Sequence, residues 1–136
     1  MNYKITDLIK EQVEDIENRL YEYDRKHITY EIPGSIKIGI VINDELIAGA
    51  DACMTAFKIL YVSTVYVNEN HRNNKVGTTL MHEVEKRAKL LGANMIRLDT
   101  FNWQGRDFYR SLGYEEVGFY ENVEDGFTEH FFLKRI

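Results

Sequence analysis

Two stretches of this sequence place chemically capable residue types at a regular spacing. The first is Arg72-Asn73-Asn74-Lys75-Val76-Gly77-Thr78, which leads into a run where Val76, Leu80, Val84, Ala88 and Leu91 recur at helical spacing. Set between a strand and a helix, such a loop is an anion site. Up to four N–H groups at a helix start lack partners and point outward, and the helix dipole adds to their field. Gly77 permits close backbone approach, Arg72 and Lys75 add charge, and Thr78 offers a hydroxyl. Neither GxxxxGK(S/T) nor GxGxxG is present, which excludes a P-loop and a dinucleotide fingerprint. The second stretch runs from Asn102 to Tyr114, NWQGRDFYRSLGY, directly after an apolar segment, MIRLDTF.

Taken together, the two stretches resemble the GNAT superfamily of acyl-CoA-dependent N-acetyltransferases, and in particular a small bacterial branch of generic acetyltransferases. The family's Gln/Arg-x-x-Gly-x-Gly/Ala signature reads Arg72-x-x-Lys75-x-Gly77 here. Its later Asn- and aromatic-containing pattern reads Asn102, Gly105, Phe108-Tyr109 and Gly113-Tyr114. Lys75 stands where the family has its first Gly. If that position adopts φ > 0, a Lys there costs about a kcal/mol or more, while its stem has the reach to meet a phosphate.

The resemblance implies acetyl-CoA as co-substrate and a set of roles. Val65 and Val67 would offer backbone groups to the pantetheine arm and thioester, with Tyr66 between them. The pyrophosphate would rest on the amides of Asn73, Asn74, Lys75, Val76, Gly77 and Thr78, with Arg72 at the rim. Asn102 would hydrogen-bond near the arm, and Phe108 would pack against it. Tyr109 would donate a proton to the departing thiolate; the plainer alternative is an aromatic packed beside Phe108. No base is singled out among Asp51, Asp99, Glu129 and His130. Cys53, in an alanine-rich segment, reads as core, because direct acyl transfer needs no covalent step.

The elements that must position these residues follow from periodicity and turn chemistry. YKITD (3–7) reads as a short strand, and Leu8, Ile9, Val13, Ile16, Leu20 and Tyr23 mark an amphipathic helix over about 8–27. After the Ile32-Pro33-Gly34-Ser35 turn, IKIGIVI (36–42) and ELIAGADACM (45–54) read as a hairpin, although Asp44-Glu45 is not the strongest two-residue signal. ILYVSTVYV (59–67), apolar on both faces, reads as a central strand. A helix ended by Gly92, strand 95–101, a short helix near 104–112 stopped by Gly113, and strands near 114–121 and 128–134 complete the chain. The expected fold is α/β (α+β): a mixed, mostly antiparallel sheet with helices on both faces, in the order β-α-β-β-β-α-β-α-β-β, forming one domain over 1–136. Residues 59–101 form its parallel strand–helix–strand unit.

Composition narrows the classes. A chain of 136 residues with 44% hydrophobic and 29% charged residues is globular, neither collagen-like nor disordered. One Cys allows no internal disulfide, and no Cys/His cluster has metal-ligand spacing. The opening MNYKITDLIKEQ has no apolar core, so a cytoplasmic protein without a membrane span is expected. A net charge of −5 argues against nucleic acid as partner. Residues 11–31 and 121–129 are acidic and favour a cationic acceptor, either a small-molecule amine or a peptide amine. Tyr114, Phe119, Tyr120, Phe127, Phe131 and Phe132 point to a homodimer or to the acceptor pocket of a monomer. Two other readings stay open at this point: an acyl-CoA-binding regulatory module without turnover, and a catalytically inert assembly domain.

Overall fold

A computed structural model describes all 136 residues, and the chain divides into two compact units, Met1–Tyr30 and Glu31–Ile136. The first unit is built on α1 (Lys10–Asp24). Ile9 stands at the N-cap without a side-chain acceptor to offer. Gln12 Oε1 instead accepts the Ile9 N–H at 3.0 Å, which is half of a capping box. Arg19 pairs with Asp15 at 2.6 Å, one helical turn away. The strand expected over residues 3–7 does not form, since the segment joins no ladder and an extended chain without a neighbour leaves its backbone groups to water.

The second unit is one six-stranded sheet in the order β1-β2-β3-β4-β6-β5, flanked by helices. Its strands are β1 (Ser35–Ile42), β2 (Glu45–Met54), β3 (Ile59–Val67), β4 (Met95–Phe101), β5 (Glu115–Asn122) and β6 (Phe127–Arg135). Asn43 and Asp44 make the β1–β2 turn, both at positive φ (50° and 65°), which Asn and Asp tolerate better than most residues. Every strand pair is antiparallel except β3–β4. That parallel step is bridged by α2 (Val76–Leu91), which buries Leu80, Met81, Val84 and Ala88 against β1, β2 and β3. Gly92, at φ 101°, ends α2 in the left-handed conformation that glycine adopts freely.

The core is continuous: Ile47, Leu60, Leu80, Met81, Val84, Ile96 and Phe132 are fully buried together. Tyr114 and Phe132, expected on an exposed aromatic surface, belong to this core, while Phe119, Tyr120 and Phe131 stay exposed. On β6 alternation separates Phe131 from Phe132, because neighbouring residues of a strand face opposite ways. Cys53 is exposed on β2, contrary to the expectation of a core position. No helix is long and apolar enough to cross a membrane.

Candidate active site

β3 and β4 begin as neighbours and then part. They pair only at Ile59↔Met95, Leu60↔Ile96 and Tyr61↔Arg97. Beyond Tyr61 the facing edges have no ladder. The physical cause lies on the other side of β3, where Asp51 pairs with Thr64 but Ala52 pairs with Val62, leaving Ser63 as an extra residue. Such a bulge bends its strand and increases its twist. The Ser63 hydroxyl donates to the Asp51 carbonyl at 3.1 Å and holds the bend. Only Leu60 and Val62 of β3 are therefore buried, although the segment reads as apolar on both faces.

The opening between the strands is a groove of about 760 Å³. It is lined by Val62–Val67 of β3, by the loop from Arg72 to Thr78, by Leu98, Asp99 and Thr100 of β4, and by Trp103, Gln104, Gly105, Phe108 and Tyr109. Of the residues singled out from sequence, Val65, Tyr66, Val67, Arg72, Asn73, Lys75, Gly77, Thr78, Phe108 and Tyr109 meet here. Asn74 and Val76 belong to the same loop but do not line the groove. Asn102 is elsewhere: its Oδ1 accepts the Thr128 N–H at 2.9 Å and its own N–H donates to the Thr128 carbonyl, tying the end of β4 to the start of β6.

At the α2 end of the groove the backbone curls into a cup. Asn73 (φ 66°) and Lys75 (φ 61°) are both left-handed, and such residues beside ordinary ones turn successive N–H groups toward one point. Lys75 is itself the α2 N-cap, its carbonyl taking both the N–H and the hydroxyl of Thr79. Arg72 Nε donates to the Val67 carbonyl at 3.0 Å, so the guanidinium is anchored at the groove edge. A Cβ on Gly77 would sit 3.1 Å from Phe108 Cζ. The glycine thus lets the first turn of α2 close on the ring.

Tyr109 rides on α3 (Arg106–Ser111) and is 7% exposed, with no protein partner on its hydroxyl. Burial, with a smaller contribution from the Asp99 carboxylate, pushes its phenol up to about 12, so it keeps its proton at neutral pH. Two sets of contacts fix α3. At its start, Thr100 Oγ1 accepts the Gly105 N–H at 3.1 Å and Gln104 Oε1 accepts the Phe101 N–H at 2.7 Å. Along its side, Arg106 and Arg110 donate to Glu116 of β5 at 3.2 Å and 2.8 Å. Burial opposes ionisation of Glu116, but Arg106, Arg110 and His130 outweigh it and hold the carboxyl below its ordinary value.

The four candidate bases separate cleanly. Asp51 pairs with Lys37 at 2.8 Å. Glu129 accepts the Tyr120 hydroxyl. Buried His130 turns Nε2 to Thr128 Oγ1 at 2.7 Å, and its Nδ1 lies 2.5 Å from Glu116 Oε1. Asp99 alone borders the groove. Sequence reasoning assigned no site role to Thr64, Thr100, Trp103 or Gln104. Their only signal was proximity to the Asn102–Tyr114 stretch or to Val65.

The model of the Acetyltransferase (GNAT) family matches residues 2–114. The chain belongs to the GNAT family. The GNAT fold recurs in an acetyltransferase from Bacillus cereus at 27% identity, with 98% of each chain covered and a TM-score of 0.91. An aminoglycoside 6′-N-acetyltransferase complexed with coenzyme A shares the fold at 18% identity, with 97% of each chain covered and a TM-score of 0.67. The aminoglycoside 6′-N-acetyltransferase from Enterococcus faecium does so at 21% identity and a TM-score of 0.64, covering 93% of this chain and 89% of its own. None of the curated proteins matches the sequence. As a GNAT enzyme the protein is an acetyl-CoA-dependent acetyltransferase.

Proposed function

We propose that this GNAT enzyme moves an acetyl group from acetyl-CoA directly to a primary amine, carried by a small molecule or a peptide, in the groove between β3 and β4. The observation that carries the reading is the pairing of the unpartnered, protonated Tyr109 hydroxyl with the Asp99 carboxylate in one groove beside an open strand edge. The family match runs from residue 2 to 114, which supports treating 1–136 as a single N-acyltransferase domain.

The chain's own groups divide the work. The amides of the 73–78 cup, with Arg72 and Lys75, take the pyrophosphate. The free edge of β3 at Val65 and Val67, with Tyr66 between them, offers backbone groups to the amide-bearing arm, and Phe108 packs beside it. The Val67 carbonyl is already engaged by Arg72, which leaves Val65 as the main donor and acceptor. Asn102 acts through the β4–β6 junction that it ties. Asp99 accepts the proton of the arriving ammonium. The freed amine forms an N–C bond as the C–S bond breaks, and the Val65 N–H steadies the oxyanion. Tyr109 gives its proton to the leaving sulfur and regains one from the acylated nitrogen.

Thiol release from acetyl-CoA in the presence of an amine series tests this directly. Tyr109→Phe lowers kcat by about 100-fold or more, the scale of a lost general acid. An unchanged kcat removes Tyr109 from the mechanism. A homodimer is a further part of the reading, supported by edge strand β5 and its exposed Val117 and Phe119. Light scattering that returns the mass of a single chain at micromolar concentration removes it.

A further inference from the structure

The groove opens onto a sheet face that carries two carboxylates without a cation. Tyr61↔Arg97, Asp99↔Phe131, Phe101↔Glu129 and Tyr120↔Glu129 are register partners, so these side chains share one face across β3, β4, β6 and β5. Asp99 and Glu129 are diagonal neighbours on it, about 7–8 Å apart. No Lys, Arg or His lies within ion-pair distance of either. The face does hold Arg97, but its guanidinium lies over the Tyr61 ring, 4.3 Å from the centroid. Phenols complete each carboxylate: Tyr61 donates to Asp99 Oδ2 at 3.1 Å, and Tyr120 donates to Glu129. The Tyr120 ring leans on Phe131 at 6.1 Å and meets Phe127 edge-on at 6.4 Å, giving π faces beside the outer carboxylate.

The inner carboxylate is tied to the reacting centre by an independent feature. Tyr109, more than nine-tenths buried and without a partner for its hydroxyl, lines the same groove as Asp99. An acceptor nitrogen placed between them leaves the rest of the acceptor running outward along the face toward Glu129. Aromatic rings and an unneutralised carboxylate at that spacing match a second ammonium, which gains from both the charge and the ring quadrupoles.

We propose that the acceptor is an α,ω-diamine with a short alkyl spacer. One nitrogen is acetylated at Asp99, and the other, still protonated, is held by Glu129 among Tyr120, Phe127 and Phe131. The assignment rests on the acetyl-transfer reading above and adds the acceptor's class to it.

Thiol-release kinetics with diaminobutane, butylamine and monoacetyl-diaminobutane test the proposal. The three share one reacting amine and differ in the remote group. Diaminobutane should exceed both others in kcat/KM by at least tenfold, and the advantage should shrink at high salt. In Glu129→Gln the ratio of diaminobutane to butylamine should collapse toward one. Calorimetric titration with acetyl-CoA reports whether that variant is folded, and the monoacetyl comparison on the parent enzyme needs no variant. Equal turnover of diaminobutane and butylamine by the parent, or a ratio retained in Glu129→Gln, overturns the diamine assignment while leaving acetyl transfer intact. A parent that binds acetyl-CoA but turns over no diamine overturns it too. Failure to bind acetyl-CoA overturns the reading beneath it.

Discussion

Lys75 sits at φ 61°, ψ 15° as the N-cap of α2, a conformation that the fold itself fixes through the Thr79 N–H and hydroxyl on its carbonyl. A non-glycine residue in this region costs roughly 1–2 kcal/mol. The cost is therefore met on folding and cancels from the binding equilibrium. Replacing Lys75 by Gly relieves it, but frees the unfolded chain by about 0.5–1 kcal/mol, so net stability rises by about 1.5 kcal/mol at most. That corresponds to a Tm increase of a few degrees, about 5 °C at the upper end. Binding is governed by the charge. An ammonium at the cup makes a charge-assisted contact with a phosphate, and its loss costs about 1–2 kcal/mol, roughly 5–30-fold in Kd. Lys75→Gly and Lys75→Gln should both weaken acetyl-CoA by this amount. The loss should shrink as the screening length falls from about 10 Å at 0.1 M salt to about 3 Å at 1 M. Calorimetric titration of the three proteins at both salts, with melting curves alongside, decides it. Tighter binding by Lys75→Gly than by the parent would refute the reasoning, because it would mean that the strain acts on binding.

Gly77→Asp should abolish measurable acetyl-CoA binding, since its Cβ meets Phe108 at 3.1 Å and its carboxylate enters the anion cup; calorimetry on a folded variant with parent affinity removes the site from this loop. Tyr109 and Tyr114 are both raised by burial, then by a nearby carboxylate, so the unfolded chain ionises first. Stability should be level below about pH 10 and fall as pH climbs toward 12, with a shallower fall in Tyr109→Phe; an identical pH profile for the two proteins contradicts this. Glu116→Gln should lower Tm by about 5 °C near neutral pH and reduce kcat, because α3 loses the anchor of Arg106 and Arg110. Because the Glu116 carboxyl is held low in the fold, its stabilisation is present above the ordinary carboxylate range and disappears in acid; a Tm gap that persists at low pH sinks the argument.

What the sequence alone determined is local. The four-residue spacing of Leu80, Val84 and Ala88, the stop at Gly92 and the short β1–β2 turn depend on neighbours a few residues away, and each formed as its chemistry requires. The left-handed backbone at Asn73 and Lys75 is local in the same sense, set by residues that adjoin along the chain. The groove was not legible from periodicity, because it exists only where β3 leaves β4, and that departure comes from a bulge set by pairing with β2. The partners of α3 come from β4 and β5, and Tyr109 owes its raised phenol to packing that no stretch of sequence contains. Residues 3–7 and Cys53 show the limit from the other side. An extended, alternating pattern is a strand only if another strand lies beside it, and an apolar neighbourhood in sequence buries a side chain only if its face turns inward. The pairing of Asp99 with Glu129, thirty residues apart, follows from register between β4 and β6, and register is a property of the assembled sheet.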